Sequence, residues 1–381
     1  MIEFIMSPVV DLLLELIALP SINPAFLEGR PQLTGEKRVS DLLECWCKKA
    51  GMDVATRLVL PGRHNLFASL APPLKPTGRV VLAPHLDTAN IQSEDLLTPR
   101  VEGERIYGRG ACDTKGCVAA MLTAMARVAR GGVRPERTEI VFLGLVDEES
   151  GQEGSRAVAA SGWKADLAIV GEPTRLKVVT AHKGDVWLYV DTRGKAAHGS
   201  RPELGRNAIE EMARVVAALG GPYASKLRAK RHRLLGSGTI NVGTIQGGNQ
   251  PNIVPDSCRI SIDRRTLPGE DEKTVARELR ALFRARGIRA SLSNMRGGSC
   301  VALETDTALP FVRDFMKAAR QRRPCGVDYF CDAAVLSSGG IPSVVFGPGD
   351  IAQAHTANEW IATDSLETGT DLLEAFLRTL S

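Results

Sequence analysis

The sequence predicts an α/β protein: a main domain on a mostly parallel sheet with helices on both faces, interrupted by an inserted ferredoxin-like α+β module. Three observations carry this reading. Apolar runs at Arg79 to Ala83, Glu139 to Val146 and Leu167 to Val170 alternate with helical stretches. Strands buried on both faces of a parallel sheet read as such continuous runs. Between them and the C-terminus the pattern changes to half-buried strands in β-α-β-β-α-β order, the ferredoxin-like sequence of elements. Several apolar runs also end in a histidine or a carboxylate, at the edge where ligands bind in open α/β sheets.

Taken in order, Val9 to Leu19 is apolar at helical spacing and stops at Pro20-Ser21-Ile22-Asn23-Pro24. Thr34 to Ala50 reads as a second helix, with Thr34 as N-cap and Gly51 as its stop. Strands follow at Asn65 to Leu70 and Arg79 to Ala83, then a helix from Cys117 to Arg130 closed by Gly131-Gly132. Beyond Leu167 to Val170, the strand Asp185 to Arg193 alternates, and a helix runs from Asn207 to Leu219. Thr239 to Ile245, Ser257 to Asp263, a helix from Glu272 to Arg286 and a strand at Ala290 to Asn294 complete the insert. After Ala302 come a helix, the strand Ser343 to Phe346 and His355. The expected organisation is a catalytic domain at 1–181 and 297–381, with a lid and dimerisation domain inserted at 182–296.

The global numbers suit a globular enzyme. The 381 residues are enough for two cores, and 44% hydrophobic and 24% charged residues are ordinary values. A net charge of +4 does not call for nucleic acid as partner. The basic stretch Lys226 to Arg233 has no interleaved aromatic residues and reads as a solvated face. No apolar run reaches 18 residues, so no membrane partner is expected. The start, Met1 to Pro8, lacks a basic leader region, and the eight cysteines contain no CxxC pair. Reduced thiols and a cytoplasmic location are the expectation.

The chemistry-bearing residues have the composition of a two-metal site. His85 ends the run Val80 to Pro84, and Asp87, two residues on along an extended strand, points the same way. Asp87 is expected to accept the second imidazole N–H of His85, leaving the other nitrogen for a cation. Asp113, in Gly108-Arg109-Gly110-Ala111-Cys112-Asp113-Thr114-Lys115-Gly116, is the best bridge, because a carboxylate has two oxygens and glycines let the chain turn sharply. That stretch lacks the spacing of a phosphate loop. Glu148 and Glu149 follow a buried strand, where unpartnered acids are costly. Adjacent side chains diverge, so one can ligate while the other takes a proton from the attacking water and returns it to the leaving amine. Glu172, in Gly171-Glu172-Pro173-Thr174, repeats the placement at a strand end, and His355 lies beyond the insert.

Together with Pro-Ser-Ile-Asn-Pro at 20–24 and Ala-His198-Gly-Ser-Arg-Pro, these motifs make the chain resemble a family over essentially its whole length. It is the family of metal-dependent peptidases and amidohydrolases that includes acetylornithine deacetylase and succinyl-diaminopimelate desuccinylase. The resemblance implies two divalent metal ions, zinc or alternatively cobalt. His85 and Glu172 would bind one, Glu149 and His355 the other; Asp113 would bridge them, and Glu148 would be the general base. It also implies a homodimer made through the lid, with His198 polarising the scissile carbonyl in the partner's site. Asn252 and Arg265 match positions that bind a substrate carboxylate, whereas Arg264 points the other way along its strand.

The implied reaction is hydrolysis of the amide bond of an N-acyl amino acid, as in acetylornithine deacetylase and arginine biosynthesis. The Thr-Ser-Gly-Gly stretch of desuccinylases is missing, and Tyr329-Phe330-Cys331-Asp332-Ala333-Ala334 stands in that region. A desuccinylase, a carboxypeptidase or dipeptidase acting on short peptides, and a catalytically silent binding protein are the alternatives. The last would be expected to lack a ligand or the base, and all are present.

Overall fold

The computed structural model describes residues 7–131, 134–295 and 300–381. The opening Met1 to Met6, Gly132 of the Gly131-Gly132 stop and the expected boundary at 296–297 lie outside the described residues. The chain divides into two compact units. One comprises residues 1–180, 305–325 and 331–381, and the other residues 181–304 and 326–330.

In the first unit, helix α1 (Pro8–Ile17) starts with proline in its first turn, where the missing N–H costs nothing. Its Leu13, Leu16 and Ile17 are fully buried, each contributing roughly 1.5–3 kcal/mol. Helix α2 (Lys37–Lys49) begins three residues after Thr34, which does not cap it. Glu36 occupies the N-cap position without capping, because its carboxylate is held by Arg63 and by the Asp147 N–H. Cys45 is exposed and Cys47 buried, as neighbours two apart on a helix should be.

The strands of this unit include β1 (Asp53–Leu60), β2 (Arg63–Leu70), β3 (Gly78–Pro84), the short β4 (Arg105–Tyr107), β5 (Thr138–Gly144) and β6 (Leu167–Gly171). β7 (Val179–His182) leads into the second unit. Between them lie α3 (Lys115–Arg130) and α4 (Glu153–Ala160). In α3, residues 115–126 are all buried, because the helix packs against strands as well as against α1 and the C-terminal helix.

The second unit contains β8 (Gly184–Arg193), α5 (Ala208–Ala218), β9 (Thr239–Gly247), β10 (Ser257–Thr266), α6 (Glu272–Ala285) and β11 (Ala290–Asn294). Its four-stranded antiparallel sheet has the order β9-β10-β8-β11, the expected ferredoxin-like arrangement. Asn207 caps α5 by accepting from the Ile209 and Glu210 N–H groups, and Asp271 caps α6 through Thr274. The core lies between the sheet and these helices: Val186, Leu188, Val190, Ile260 and Ile262 meet Met212, Val215, Leu279 and Phe283. Two lysines of the basic stretch pair with carboxylates, Lys226 with Glu278 and Lys230 with Glu270, and His232 lies beside Glu304.

The chain then returns to the first unit with α7 (Pro310–Ala318), α8 (Asp332–Ser338), β12 (Ser343–Val345), β13 (Trp360–Ala362) and α9 (Thr363–Leu377). The large sheet there has the order β1-β2-β5-β3-β6-β12-β7. Its centre, β5-β3-β6-β12, is parallel, and β1, β2 and β7 join antiparallel. Val80 and Leu82 face the main apolar core, while Val81 and Ala83 are buried outside it, so both faces of β3 are covered. His85, Glu148, Glu149 and Glu172 follow the carboxyl ends of β3, β5 and β6, while Asp113 precedes α3 and His355 lies between β12 and β13.

Candidate metal centre and active site

His85 leaves β3 with its backbone paired to Leu145, which aligns the end of β3 with the end of β5. Its Nδ1 lies 3.0 Å from the Asp87 carbonyl oxygen and 3.4 Å from the Asp87 carboxylate. The carbonyl, rather than the expected side chain, therefore takes the shorter hydrogen bond and leaves Nε2 facing Asp113. The Asp87 carboxylate has other partners. It accepts from the Glu148 N–H and the Glu149 N–H, both at 3.1 Å, and from Asn23 Nδ2 at 2.7 Å. Asp87 thus holds the backbone of the acidic pair.

A second buried network fixes the same loop from behind. Arg63 pairs with Glu36 and, at 2.8 Å, with Asp147, while Asn23 also donates to Asp147 at 3.0 Å. Asp147 sits at φ +70°, a conformation costly for a residue with a Cβ, and these bonds hold it there.

Asp113 is centred between two imidazoles. Its Oδ1 is 3.1 Å from His85 Nε2 and its Oδ2 is 3.4 Å from His355 Nε2. His355, at φ +61°, also lies 3.1 Å from Glu149 Oε2. Glu172 Oε1 is 4.0 Å from His85 Nε2. Glycine is required in this loop: Gly110 has φ +84°, and a Cβ there would sit 2.8 Å from Lys115 Cδ. The Asp113–Thr114 peptide is cis.

Seven expected residues, His85, Asp87, Asp113, Glu148, Glu149, Glu172 and His355, are therefore gathered in the first unit. Glu148 and Glu149 diverge. The Glu149 carboxylate faces His355, whereas Glu148 offers an oxygen within 4.8 Å of ligand atoms of both His85 and Glu172. His198, Asn252 and Arg265 belong to the second unit. His198 is exposed, and its Nδ1 accepts from the Ser200 N–H at 3.2 Å, which leaves Nε2–H as the outward donor. The Gly199 N–H donates to the Asn252 carbonyl, packing the two loops together. Arg265 Nη2 is 2.9 Å from Asp263, and its guanidinium stands over Phe330, while Arg264 is fully buried on Glu270.

The electrostatics suit a cation pair. Burial, then the Glu172 charge, pushes Glu148 well above the usual carboxylate range; burial, then the Asp113 charge, does the same to Glu172. Burial would raise Asp113 too, but bonds from His355 and His85 hold it well below. Asp113 and Glu149 in turn push the His355 imidazole up to about 10. In this state protonated imidazoles supply the positive charge, and protonated carboxyls remove part of the negative charge. Oε1 of Glu149 is buried with no hydrogen-bond partner, an acceptor that a cation would satisfy. Imidazole and carboxylate donors, one orphaned acceptor and a two-sided Asp113 fit a dinuclear site.

Sequence reasoning missed three supporting residues. Asn23 ties Asp87 to Asp147. Asp332, which burial pushes up to about 7, accepts from Ser155 Oγ and leaves Oδ2 orphaned. Glu359, fully buried, accepts from the Cys112 and Asp113 N–H groups. Their partners are distant in the chain, so the only signals were the Pro-Ser-Ile-Asn-Pro motif and the Tyr329-Phe330-Cys331-Asp332-Ala333-Ala334 stretch.

Residues 81–379 match the peptidase family M20/M25/M40. The chain belongs to this family. It is 33% identical to acetylornithine deacetylase of Myxococcus xanthus over 71% of this chain and 72% of that protein. With the acetylornithine deacetylase of Vibrio vulnificus it shares 30% identity over 90% and 92%. Among solved structures, a Staphylococcus aureus tripeptidase superposes with a TM-score of 0.78 at 20% identity, covering 98% of this chain and 97% of that one. This member of the M20 family is an amide-bond hydrolase, and its His, Asp and Glu cluster is compatible with a dinuclear metal site. Among the described residues no helix is long and apolar enough to cross a membrane.

Proposed function

We propose that this protein removes the acyl group from an N-acyl amino acid, with N-acetylornithine the favoured class of substrate and arginine biosynthesis its setting. The observation that carries the dinuclear part is Asp113, one oxygen facing His85 and the other facing His355. Identity of 30% and more to acetylornithine deacetylases supports the substrate class.

In this reading His85, Glu172 and Asp113 hold one divalent ion, and His355, Glu149 and Asp113 the other; zinc suits these donors, with cobalt an alternative. When bound, the ions supply Lewis acidity toward the scissile carbonyl and the attacking water. Glu148 takes the proton of that water and delivers it to the leaving amine nitrogen, a task suited to a carboxylate whose pKa is raised. Asp87 orients His85 and fixes the Glu148-Glu149 backbone. His198 donates Nε2–H to the developing oxyanion of the partner's site, and Asn252 and Arg265 receive the substrate carboxylate, Arg265 exchanging Asp263 for it. The protein works as a homodimer through its lid, in the cytoplasm, in keeping with cysteines in the thiol form.

The test is amine release by zinc- and cobalt-loaded protein offered acetyl, succinyl and peptidyl amino acids. N-acetylornithine should give the highest kcat/KM. A succinyl or peptide substrate in first place would replace the substrate assignment, and no hydrolysis by protein holding two ions would overturn the reading.

A further inference from the structure

Asp113 is tied at its backbone to a residue outside the candidate ligand set. Glu359 is fully buried, and its Oε1 accepts from both the Cys112 N–H and the Asp113 N–H at 2.9 Å. Its Oε2 accepts from Arg109 Nη1 at 2.6 Å, and Arg109 is itself only 1% exposed. Arg109 Nη2 reaches Gln92 Oε1 at 3.3 Å. The backbone on each side is zipped together as well. The Gly108 N–H donates to the Glu359 carbonyl, and β13, which Glu359 precedes, pairs antiparallel with β4.

A buried carboxylate–guanidinium pair is an expensive way to stabilise a core, since apolar residues of the same volume often do as well. What apolar residues cannot do is accept two consecutive N–H groups. Those two groups belong to the residue carrying the bridge and to the one before it. Four residues ahead of Glu359 lies His355, whose imidazole meets the other oxygen of Asp113. The segment from His355 to Ala362 therefore grips Asp113 from both ends, at its peptide N–H and at its carboxylate.

We infer that Glu359, supported by Arg109, is a positioning residue that sets the affinity of the site for its pair of metal ions by fixing the Asp113 backbone. The inference rests on the dinuclear reading above. Outer partners that orient a ligand change metal affinity by roughly 10–100-fold when removed. Glu359→Ala should weaken zinc binding within that range. Glu359→Gln should fall between it and the native protein, because the amide keeps one oxygen for the two N–H groups but turns an NH₂ toward Arg109. Arg109→Met should also weaken binding, by freeing the carboxylate to rotate.

Zinc dissociation constants are measured on metal-free full-length protein by competition with a chromophoric chelator, with circular dichroism confirming the fold of each variant. A purely structural role would lower the melting temperature and leave the affinity of the folded protein unchanged. Folded Glu359→Gln and Arg109→Met proteins with native zinc affinity therefore overturn the inference, even if Glu359→Ala fails to fold. A native protein that takes up fewer than two ions overturns instead the dinuclear reading, and the inference with it.

Discussion

Glu148 and Glu149 are neighbours on the chain, but different groups reach their carboxylates. Glu149 meets His355 and keeps one oxygen without a partner, the pattern of a ligand. Glu148 is pushed upward by burial and by Glu172, a shift that Glu172 shares and that suits a group able to gain and lose a proton. Glu148→Gln should keep both metal ions, counted by elemental analysis, while turnover falls by roughly 10²–10⁴-fold. Loss of metal from that variant, with Glu149→Gln retaining it, would exchange the two roles. The acids and histidines themselves were readable in the sequence because each ends an apolar run or follows a glycine turn. Asn23, Asp332 and Glu359 were not readable as functional from their surroundings, because partners 64 to 247 residues away impose no local pattern. Asp87 was readable as a partner of His85, but the carbonyl of the same residue proved the nearer acceptor.

At the scale of elements, the buried strands β3, β5 and β6 were legible because apolar runs betray them. β1 was not, since most of its residues are exposed or half-buried and its pattern resembles a surface loop. The start of α2 was misplaced because Glu36 serves a distant network rather than its own helix. The end of β7 carries a consequence of its own. His182 is fully buried, its Nδ1–H donates to the Lys183 carbonyl, and Nε2 has no partner. Burial lowers its pKa from 6.5 to about 4. The unfolded chain thus binds a proton more readily than the folded one between those values. The stability held by neutral His182 is complete above pH 6.5 and is lost as pH falls toward 4, for a total of about 3 kcal/mol. Urea unfolding of metal-free protein should show this fall, and His182→Leu should flatten it by about one proton's worth of slope. An unchanged slope in the variant would assign the acid sensitivity to other groups.

At the scale of the whole molecule, the insert supplies an edge that no strand among the described residues covers. β9 ends the sheet of the second unit, most of its residues are exposed, and Ile245 is 58% exposed. Such an edge invites pairing with another chain, and a two-fold axis would join the same strand of two copies. The insert was visible in the sequence because the apolar period changes at its start; what it pairs with leaves no trace in a single chain. If the homodimer forms there and His198 serves the partner's site, two inactive variants should repair each other. His198→Ala and Glu148→Gln, mixed and allowed to exchange, give heterodimers in which one site has native Glu148 from one chain and native His198 from the other. With complete exchange about a quarter of all sites regain both groups. Recovered activity should therefore approach about a quarter of the native value, with native mass spectrometry reporting the exchange. Continued inactivity after exchange would mean that His198 acts within its own chain or takes no part in the reaction.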